Sequence, residues 1–130
     1  MRLVLDASAA VNALVPGLLR EATWRHLAGA ELVAPALVDT EVLSALARLE
    51  RAGALSTAEA DDAVDAWLRL PLDRVPGDVV AREAWALRGA VRVADAHYVA
   101  LSRLLGAPLL TADARLARAP LAGVTLVVVQ

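Results

Sequence analysis

The sequence predicts an α/β fold of three layers, in which a short parallel sheet of four to five strands is flanked by helices on both faces. Short apolar runs alternate with segments of helical periodicity along the whole chain, and this alternation is typical of a parallel sheet covered on both faces. With 130 residues, 58% of them hydrophobic, the chain is long enough for one core but too short for two. We therefore expect residues 1–130 to form a single domain.

Turn residues and helix caps divide this pattern into elements. Strands are predicted at 2–6, 31–35, 72–75, 109–110 and 124–129. Helices are predicted at 7–14, 18–28 and 36–52, between Ser56 and Pro71, after Asp78, from Asp95 to Gly106, and after Asp113. The clearest start is Ser56, because Glu59 follows it at the spacing of a capping box. The three tryptophans lie on helix faces with aliphatic neighbours, so we interpret them as core or interface residues and not as base-stacking platforms.

Composition limits the classes of function. The chain has no cysteine and no lysine, and its net charge is −2, so neither a disulfide framework, a thiolate metal site nor a general polyanion-binding surface is indicated. A metal would need oxygen ligands or His26 and His97. No apolar run reaches the roughly 20 residues that span a bilayer, and no signal peptide is evident, so we expect a cytoplasmic protein without a membrane. The apolar excess favours an oligomer or a protein partner.

Four of the fifteen acidic residues stand at positions that a solvated helix face does not explain. Asp6 directly follows the first strand, and Glu41 lies within the first turns of a mostly apolar helix. Asp95 and Asp113 each open a helix after a buried or strand-like segment. Each acid also has a simpler interpretation. The three aspartates are suitable helix N-caps, and Glu41 would serve as a partly buried acid paired with an arginine.

The expected position of these acids favours a shared site over three separate caps and a paired acid. Asp6, Asp95 and Asp113 fall at the carboxyl ends of strands or at the adjoining helix starts, where ligands bind in parallel sheets. Converging carboxylates repel one another and are costly to desolvate, so a cation or bound protons must stabilise them. Mg²⁺ or Mn²⁺ suits oxygen ligands, and such an ion can activate water and neutralise charge on a phosphodiester.

Four blocks of sequence resemble the PIN domain and, within it, the VapC-type toxins of bacterial toxin–antitoxin pairs. They are Leu-Val-Leu-Asp-Ala-Ser-Ala at 3–9, Ala-Pro-Ala-Leu-Val-Asp-Thr-Glu-Val-Leu-Ser-Ala-Leu at 34–46, Ala-Asp-Ala-His-Tyr-Val-Ala-Leu-Ser at 94–102, and Leu-Leu-Thr-Ala-Asp-Ala-Arg-Leu at 109–116. The order and spacing of the blocks both fit, and together they span nearly the whole chain. The resemblance implies a Mg²⁺- or Mn²⁺-dependent endoribonuclease that is usually homodimeric and is neutralised by a cognate antitoxin.

The family's four acidic positions fall on the acids already singled out. The resemblance implies that Asp6, Asp95 and Asp113 hold the metal, directly or through water, and that Glu41 binds it or orients and deprotonates the attacking water. Ser8 and Thr111 are candidates for orienting these carboxylates, with a helix cap or a turn as the alternative role. One departure is Ala45, because many family members carry Asn there.

Further residues near the motifs have open roles. Tyr98 lies one helical turn from Asp95 and would either bond a neighbouring acid, reach substrate, or pack with its hydroxyl at the rim. His97 is expected to be exposed or at an interface. The nearby arginines are candidates for RNA phosphate contacts or for ordinary salt bridges. They are Arg92, Arg115 and Arg118.

Other classes of protein also gather carboxylates at the ends of parallel strands. Phospho-acceptor receiver domains need a lysine near the acceptor, and this chain has none. Phosphatases of the haloacid dehalogenase type need that lysine too, and they expect Asp-x-Asp after the first strand, where this chain has Asp6 and Ser8. The remaining alternative is a non-catalytic PIN-like module that binds RNA or a protein. The presence of all four acids argues against it.

Overall fold

The computed structural model describes residues 1–130 and contains five strands and seven helices. The strands are β1 (Arg2–Leu5), β2 (Glu31–Pro35), β3 (Asp73–Val75), β4 (Leu109–Thr111) and β5 (Leu126–Val128). The helices are α1 (Ala7–Leu14), α2 (Arg20–Leu27), α3 (Val38–Arg51), α4 (Thr57–Arg69), α5 (Gly77–Ala86), α6 (Val93–Leu105) and α7 (Ala114–Ala117).

All five strands lie in one parallel sheet, in the order β3-β2-β1-β4-β5. The chain builds outwards from β1 through β2 to β3, then returns to place β4 on the other side of β1. The strand order therefore reverses between β1 and β4, where Val4 pairs with Leu109 and Leu5 with Leu110. In parallel sheets such a reversal opens a crevice at the carboxyl ends of the two strands, where ligands bind. Asp6 follows β1 at that end, and Thr111 closes β4.

Helices cover the sheet and complete the core. The central strand is buried on both faces, since Leu3, Val4 and Leu5 are at most 2% exposed, and burial of this kind requires a helical layer on each side. Helix α6 packs on β1, β2 and β4 with α5 beside it, whereas α1 packs against α2, α3 and α4. None of the helices combines the length and the hydropathy that a bilayer-spanning segment requires.

The predicted architecture is confirmed, including the parallel sheet with helices on its flanks and the capping box. Ser56 Oγ accepts from the Glu59 amide at 3.0 Å, and Glu59 accepts in return from the Ser56 amide at 2.9 Å. The apolar stripe of α3 is also inside, because Val38, Val42 and Leu46 are buried. Both helices, α3 and α4, were predicted from two independent local signals, a cap or turn residue and a clear helical periodicity.

Two helix starts differ from the expectation. Helix α6 begins at Val93, two residues before Asp95, and α5 begins at Gly77 with Asp78 inside its first turn. The residues at the N-cap positions are Arg92 and Pro76, whose side chains form no cap hydrogen bond. The helix dipole favours an aspartate within the first turn as well as at the N-cap. An aspartate near a helix start therefore does not by itself show which of the two positions it occupies.

Several apolar side chains are more exposed than core or stripe positions would be. Trp67 is buried at 1% exposure, but Trp24 is 40% and Trp85 62% exposed. Leu68 and Leu104, which stand four and three positions after Val64 and Leu101 and so share their helical spacing, are nonetheless 68% and 60% exposed. The tryptophan on α4 is therefore a core residue, whereas those on α2 and α5 remain open to a partner.

Candidate functional site

Asp6 is the centre of a hydrogen-bond network at the crevice between β1 and β4. The residue is 5% exposed, and its carboxylate accepts from the Ser8 hydroxyl at 2.7 Å and from the Thr111 hydroxyl at 2.6 Å. Asp6 occupies the N-cap position of α1, yet its side chain forms no cap hydrogen bond. The capping interpretation is therefore wrong for Asp6, whose carboxylate is oriented by the two hydroxyls instead.

The two hydroxyls also bind the loop after β4. Ser8 Oγ accepts from the Ala112 amide at 2.9 Å, and Thr111 Oγ1 accepts from the Asp113 amide at 3.0 Å. Their oxygens lie 3.2 Å apart. Residues more than a hundred positions apart in the chain are thus joined around one carboxylate, which fixes the orientation of Asp6 relative to the segment that carries Asp113.

Burial makes the ionised form of Asp6 costly. Desolvation raises the pKa of Asp6, the hydrogen bonds from Thr111 and Ser8 oppose that rise, and the charges of Asp95 and Glu41 add to it. The net pKa lies above the usual value of 3.8. Asp95 and Glu41 lie close enough for their charges to oppose ionisation of Asp6, as expected for carboxylates that face the same site.

Glu41 reaches the same environment from α3 and is held by Tyr98 of α6. The Tyr98 hydroxyl donates to Glu41 Oε1 at 2.6 Å, and the tyrosine is fully buried. Burial and this hydrogen bond raise the pKa of Tyr98 far above its usual value, so the phenol remains a donor at every working pH. Glu41 is therefore not paired with an arginine, and Tyr98 does bond a neighbouring acid.

Asp95 and Asp113 each pair with an arginine. Arg92 donates to both oxygens of Asp95 at 3.0 and 3.2 Å, and Arg115 lies 3.3 Å from Asp113. Asp113 also caps α7, because its Oδ1 accepts from the Arg115 amide at 2.9 Å. Partial burial opposes ionisation of Asp113, but the Arg115 side chain and amide outweigh it and lower the pKa. The capping interpretation is thus confirmed for Asp113 and wrong for Asp95.

All four acids line one pocket of about 570 Å³ at the carboxyl end of the sheet. They are Asp6, Glu41, Asp95 and Asp113. The predicted convergence is therefore present, although no three of these side chains, or of the histidines, stand close enough to form a ready-made metal site. In the arginine pairs of Asp95 and Asp113, each guanidinium contacts carboxylate oxygens that an ion would take.

The chemistry of the donors fits a hard divalent cation. Both hydroxyls that hold Asp6 bond its Oδ2, which leaves Oδ1 without a hydrogen-bond partner in the chain. Tyr98 bonds only Oε1 of Glu41, which leaves Oε2 free in the same way. Oxygen donors of this charge in a pocket shared by four acids are the ligands that Mg²⁺ and Mn²⁺ prefer.

Helix α3 adds polar residues to the pocket that sequence reasoning missed. Thr40, Ser44 and Arg48 line its wall beside Glu41. Ser44 and Arg48 could have been found from the sequence, because they stand three and seven positions after Glu41 and therefore share its helix face. Ala45 also lines the wall and brings no polar group, so its neighbour Ser44 supplies a hydroxyl at this part of the pocket instead.

The remaining candidates lie outside the acid network. His97 Nδ1 lies 2.7 Å from the Val93 carbonyl of its own helix, and this histidine lines neither pocket that contains the acids. Arg118 forms no salt bridge and likewise lines neither pocket. The structure thus separates Arg92 and Arg115, which contact acids, from Arg118 and His97, which do not.

Comparisons with known proteins agree with this geometry. The PIN domain family model matches residues 3–121. Ribonuclease VapC3 of Mycobacterium tuberculosis is 43% identical over 119 residues, which cover 91% of this chain and 87% of that protein. The crystal structure of Mycobacterium tuberculosis VapC20, a sarcin-ricin loop cleaving toxin, has a TM-score of 0.68 at 17% identity and covers 95% of this chain and 98% of its own.

A second solved structure shares the fold over the full length. It is VapBC2 of Rickettsia felis bound to a DNA fragment from its promoter, with a TM-score of 0.68, 13% identity and complete coverage of both chains. The match of the family model extends over four of the five strands and all four acids. The chain therefore belongs to the PIN-domain family and, within it, to the VapC ribonucleases.

Proposed function

We propose that this chain is a Mg²⁺- or Mn²⁺-dependent endoribonuclease that hydrolyses phosphodiester bonds of RNA and acts as the toxin of a toxin–antitoxin pair. One observation carries the proposal: the four acids, which come from the residue after β1, from α3, from α6 and from the loop after β4, line a single pocket where the strand order reverses. Identity of 43% to a ribonuclease, Ribonuclease VapC3, supports the same activity.

Asp6, Asp95 and Asp113 are the proposed metal ligands. Asp6 offers its free Oδ1, while Ser8 and Thr111 hold the other oxygen and fix the plane of the carboxylate. Asp95 and Asp113 would exchange their arginines for the ion. When bound, the ion supplies a water of lowered pKa and neutralises charge on the phosphodiester.

Glu41 is the proposed base for the attacking water. Its carboxylate lies in the same pocket as Asp6 and is fixed by the buried phenol of Tyr98. A base in this role must be oriented towards the proton it removes. Tyr98 serves this need, since its hydroxyl holds Oε1 of the carboxylate and leaves Oε2 for the water.

The partners follow from the family and from the surface. A cognate antitoxin would neutralise the enzyme, and a second copy of the chain would form a homodimer in the cytoplasm. Apolar side chains left open on the surface, away from the two pockets that contain the acids, support partners of this kind. They are Met1, Leu18, Trp24, Leu43, Leu68, Val79, Val93 and Leu104.

Cleavage of a structured RNA pool by the purified, antitoxin-free protein tests the proposal. We expect cleavage with Mg²⁺ or Mn²⁺, none with EDTA, and none by Asp6→Asn or Asp95→Asn. Asp65→Asn is the matched control, because Asp65 is an exposed acid of α4 outside the pocket. Retained activity in either site variant would contradict the assigned chemistry.

One observation favours a second candidate, a non-catalytic PIN-like module that binds RNA or a protein. Asp95 and Asp113 are already neutralised by Arg92 and Arg115, so part of the acid cluster is stable without an ion. Such a module would bind RNA equally well with and without EDTA and would cleave none. The same RNA pool therefore separates the two candidates.

A further inference from the structure

The pocket lined by Asp6, Glu41, Asp95 and Asp113 is called the acid pocket below. A second pocket adjoins it and carries most of the positive charge near it. It has a volume of about 450 Å³ and shares Arg92, Asp95 and Asp113 with the acid pocket. Its other wall contains Arg88, in the turn after α5, and Arg115. This volume lies within the roughly 300–1,000 Å³ of typical ligand sites, and its position places any occupant directly beside the acids.

Arg88 is the residue of this pocket whose charge is not compensated. Arg92 and Arg115 pair with Asp95 and Asp113, whereas Arg88 forms no salt bridge. Its only side-chain hydrogen bond is from Nη1 to the Trp85 carbonyl at 2.9 Å. The pocket therefore has one positive charge in excess, and an anion entering it would be attracted without displacing an acid.

Arg88 also joins the pocket to an exposed aromatic ring. Its guanidinium carbon lies 4.3 Å from the centroid of Trp85, and Trp85 remains 62% exposed. A guanidinium stacked on an indole presents a flat, rigid and cationic surface. Unpaired bases of single-stranded RNA stack on surfaces of this composition, whatever the base, and their phosphates are held by neighbouring arginines.

We propose that Arg88 and Trp85 form an RNA-binding subsite next to the acid pocket. Arg88, with Arg92 and Arg115, holds a phosphate adjacent to the bond that is cut, and Trp85 stacks an unpaired base of the same strand. This inference rests on the proposed ribonuclease function and adds a preference for single-stranded RNA at this position. It assigns Trp85 a role in nucleic-acid binding that aliphatic neighbours in the sequence do not suggest.

Binding of a short fluorescein-labelled single-stranded RNA of random sequence, with Ca²⁺ in place of Mg²⁺, tests the subsite. For Trp85→Leu we expect a dissociation constant about tenfold higher, because one stacked base is lost. Tryptophan fluorescence of the wild type should be quenched by unlabelled RNA, and Trp85→Leu should lack this quench. Trp24→Leu is the matched control, because Trp24 is an exposed tryptophan on α2, and it should keep both affinity and quench.

The salt dependence tests the phosphate contact separately. Arg88→Gln should reduce the slope of log affinity against log salt by about 0.7, the value for one phosphate contact with a single strand. Arg82→Gln is the control, because Arg82 is an exposed arginine of α5 that does not line the pocket. An unchanged slope in Arg88→Gln, or a retained quench in Trp85→Leu, would overturn the subsite.

Two further outcomes separate this inference from the ribonuclease proposal. If the wild type cleaves RNA while both variants bind and cleave it as well as the wild type, the subsite is refuted and the enzyme assignment stands. If Trp85→Leu instead changes the mass of the assembly with RNA binding intact, Trp85 is a protein contact and the subsite is refuted. Failure of the wild type to bind or cleave any RNA refutes both proposals.

Discussion

At the scale of single residues, the site depends on hydroxyl groups that set the position of carboxylates. Asp6 could be singled out from the sequence because an acid directly after a buried strand is unusual. Ser8 and Thr111 were also candidates for orienting it. That both hydroxyls bond the same oxygen of Asp6 follows only from the pairing of β1 with β4, which no local signal encodes.

Removal of the Thr111 hydroxyl tests this arrangement. In Thr111→Val, Asp6 loses one of its two donors, so we expect the metal concentration for half-maximal RNA cleavage to rise about tenfold. Thr23→Val is the control, because Thr23 is equally buried and bonds only the Leu19 carbonyl one turn earlier. A metal requirement in Thr111→Val equal to that of Thr23→Val would show that the hydroxyl does not orient the site.

Tyr98→Phe tests how Glu41 is positioned. The ring stays in its buried place, but Glu41 loses its hydrogen bond, so we expect kcat to fall about tenfold, the effect of one hydrogen bond to a charged group, with KM unchanged. Ser102→Ala removes a buried hydroxyl from the same helix that bonds the Ala107 carbonyl, and it should leave kcat unchanged. A rise in KM without a fall in kcat would assign Tyr98 to substrate binding instead.

At the scale of elements, α3 is anchored by a polar cluster outside the pocket. Asp39 accepts from Trp67 Nε1 of α4 at 2.8 Å and from Arg74 of β3 at 2.7 Å. These bonds tie the start of α3 to a neighbouring helix and an edge strand, two residues before Glu41. Periodicity was enough to predict the helix and its buried stripe, but it gave no sign of this cluster, because its members are separated by 28 and 35 positions.

Asp39→Asn measures the contribution of this cluster to stability. The Arg74 hydrogen bond lowers the pKa of Asp39 below its usual 3.8, so the contribution of the charged form is fully present above that pH and is lost as the pH falls through the lowered pKa. At pH 7 we expect the free energy of unfolding to fall by about 1 kcal/mol, since the pair is partly exposed.

Urea unfolding at pH 7 and at a series of pH values below 3.8 checks this expectation. The difference between wild type and Asp39→Asn should shrink as the pH falls through the lowered pKa of Asp39, because the wild-type carboxylate then becomes protonated. Asp65→Asn, which changes an exposed acid on α4, should alter stability little at either pH. A difference that stays constant with pH would mean that the charge of Asp39 does not stabilise the fold.

At the scale of the whole molecule, the order of strands determines where function lies. The reversal between β1 and β4 gathers acids that are distant in sequence, and the alternation of strands and helices was enough to predict that Asp6, Asp95 and Asp113 would meet. The place of Glu41 beside them was implied by the family resemblance. The identity of the exposed residues was not predictable in the same way. The helical periodicity places the apolar residues Leu68, Val79, Trp85 and Leu104 on apolar helix faces. It does not tell whether the chain's own core or a partner covers those faces.

The exposed apolar side chains lead to a prediction about assembly. We expect the purified protein to elute as a homodimer, with twice the 13.6 kDa mass of a single chain, because an exposed apolar surface of this extent favours association. Light scattering coupled to gel filtration measures the mass directly. A single-chain mass at micromolar concentration would contradict the prediction and would leave the antitoxin as the expected partner of this surface.

Binding of a divalent cation in the acid pocket is tested most directly by calorimetric titration with Mn²⁺. We predict saturable binding to the wild type, binding at least about tenfold weaker in Asp6→Asn because a ligand is lost, and wild-type binding in Asp39→Asn, whose acid lies outside the pocket. Equal binding by all three proteins, or none by the wild type, would contradict a metal site at this position. In that case the four acids would be structural, held by Arg92, Arg115, Tyr98 and the two hydroxyls alone.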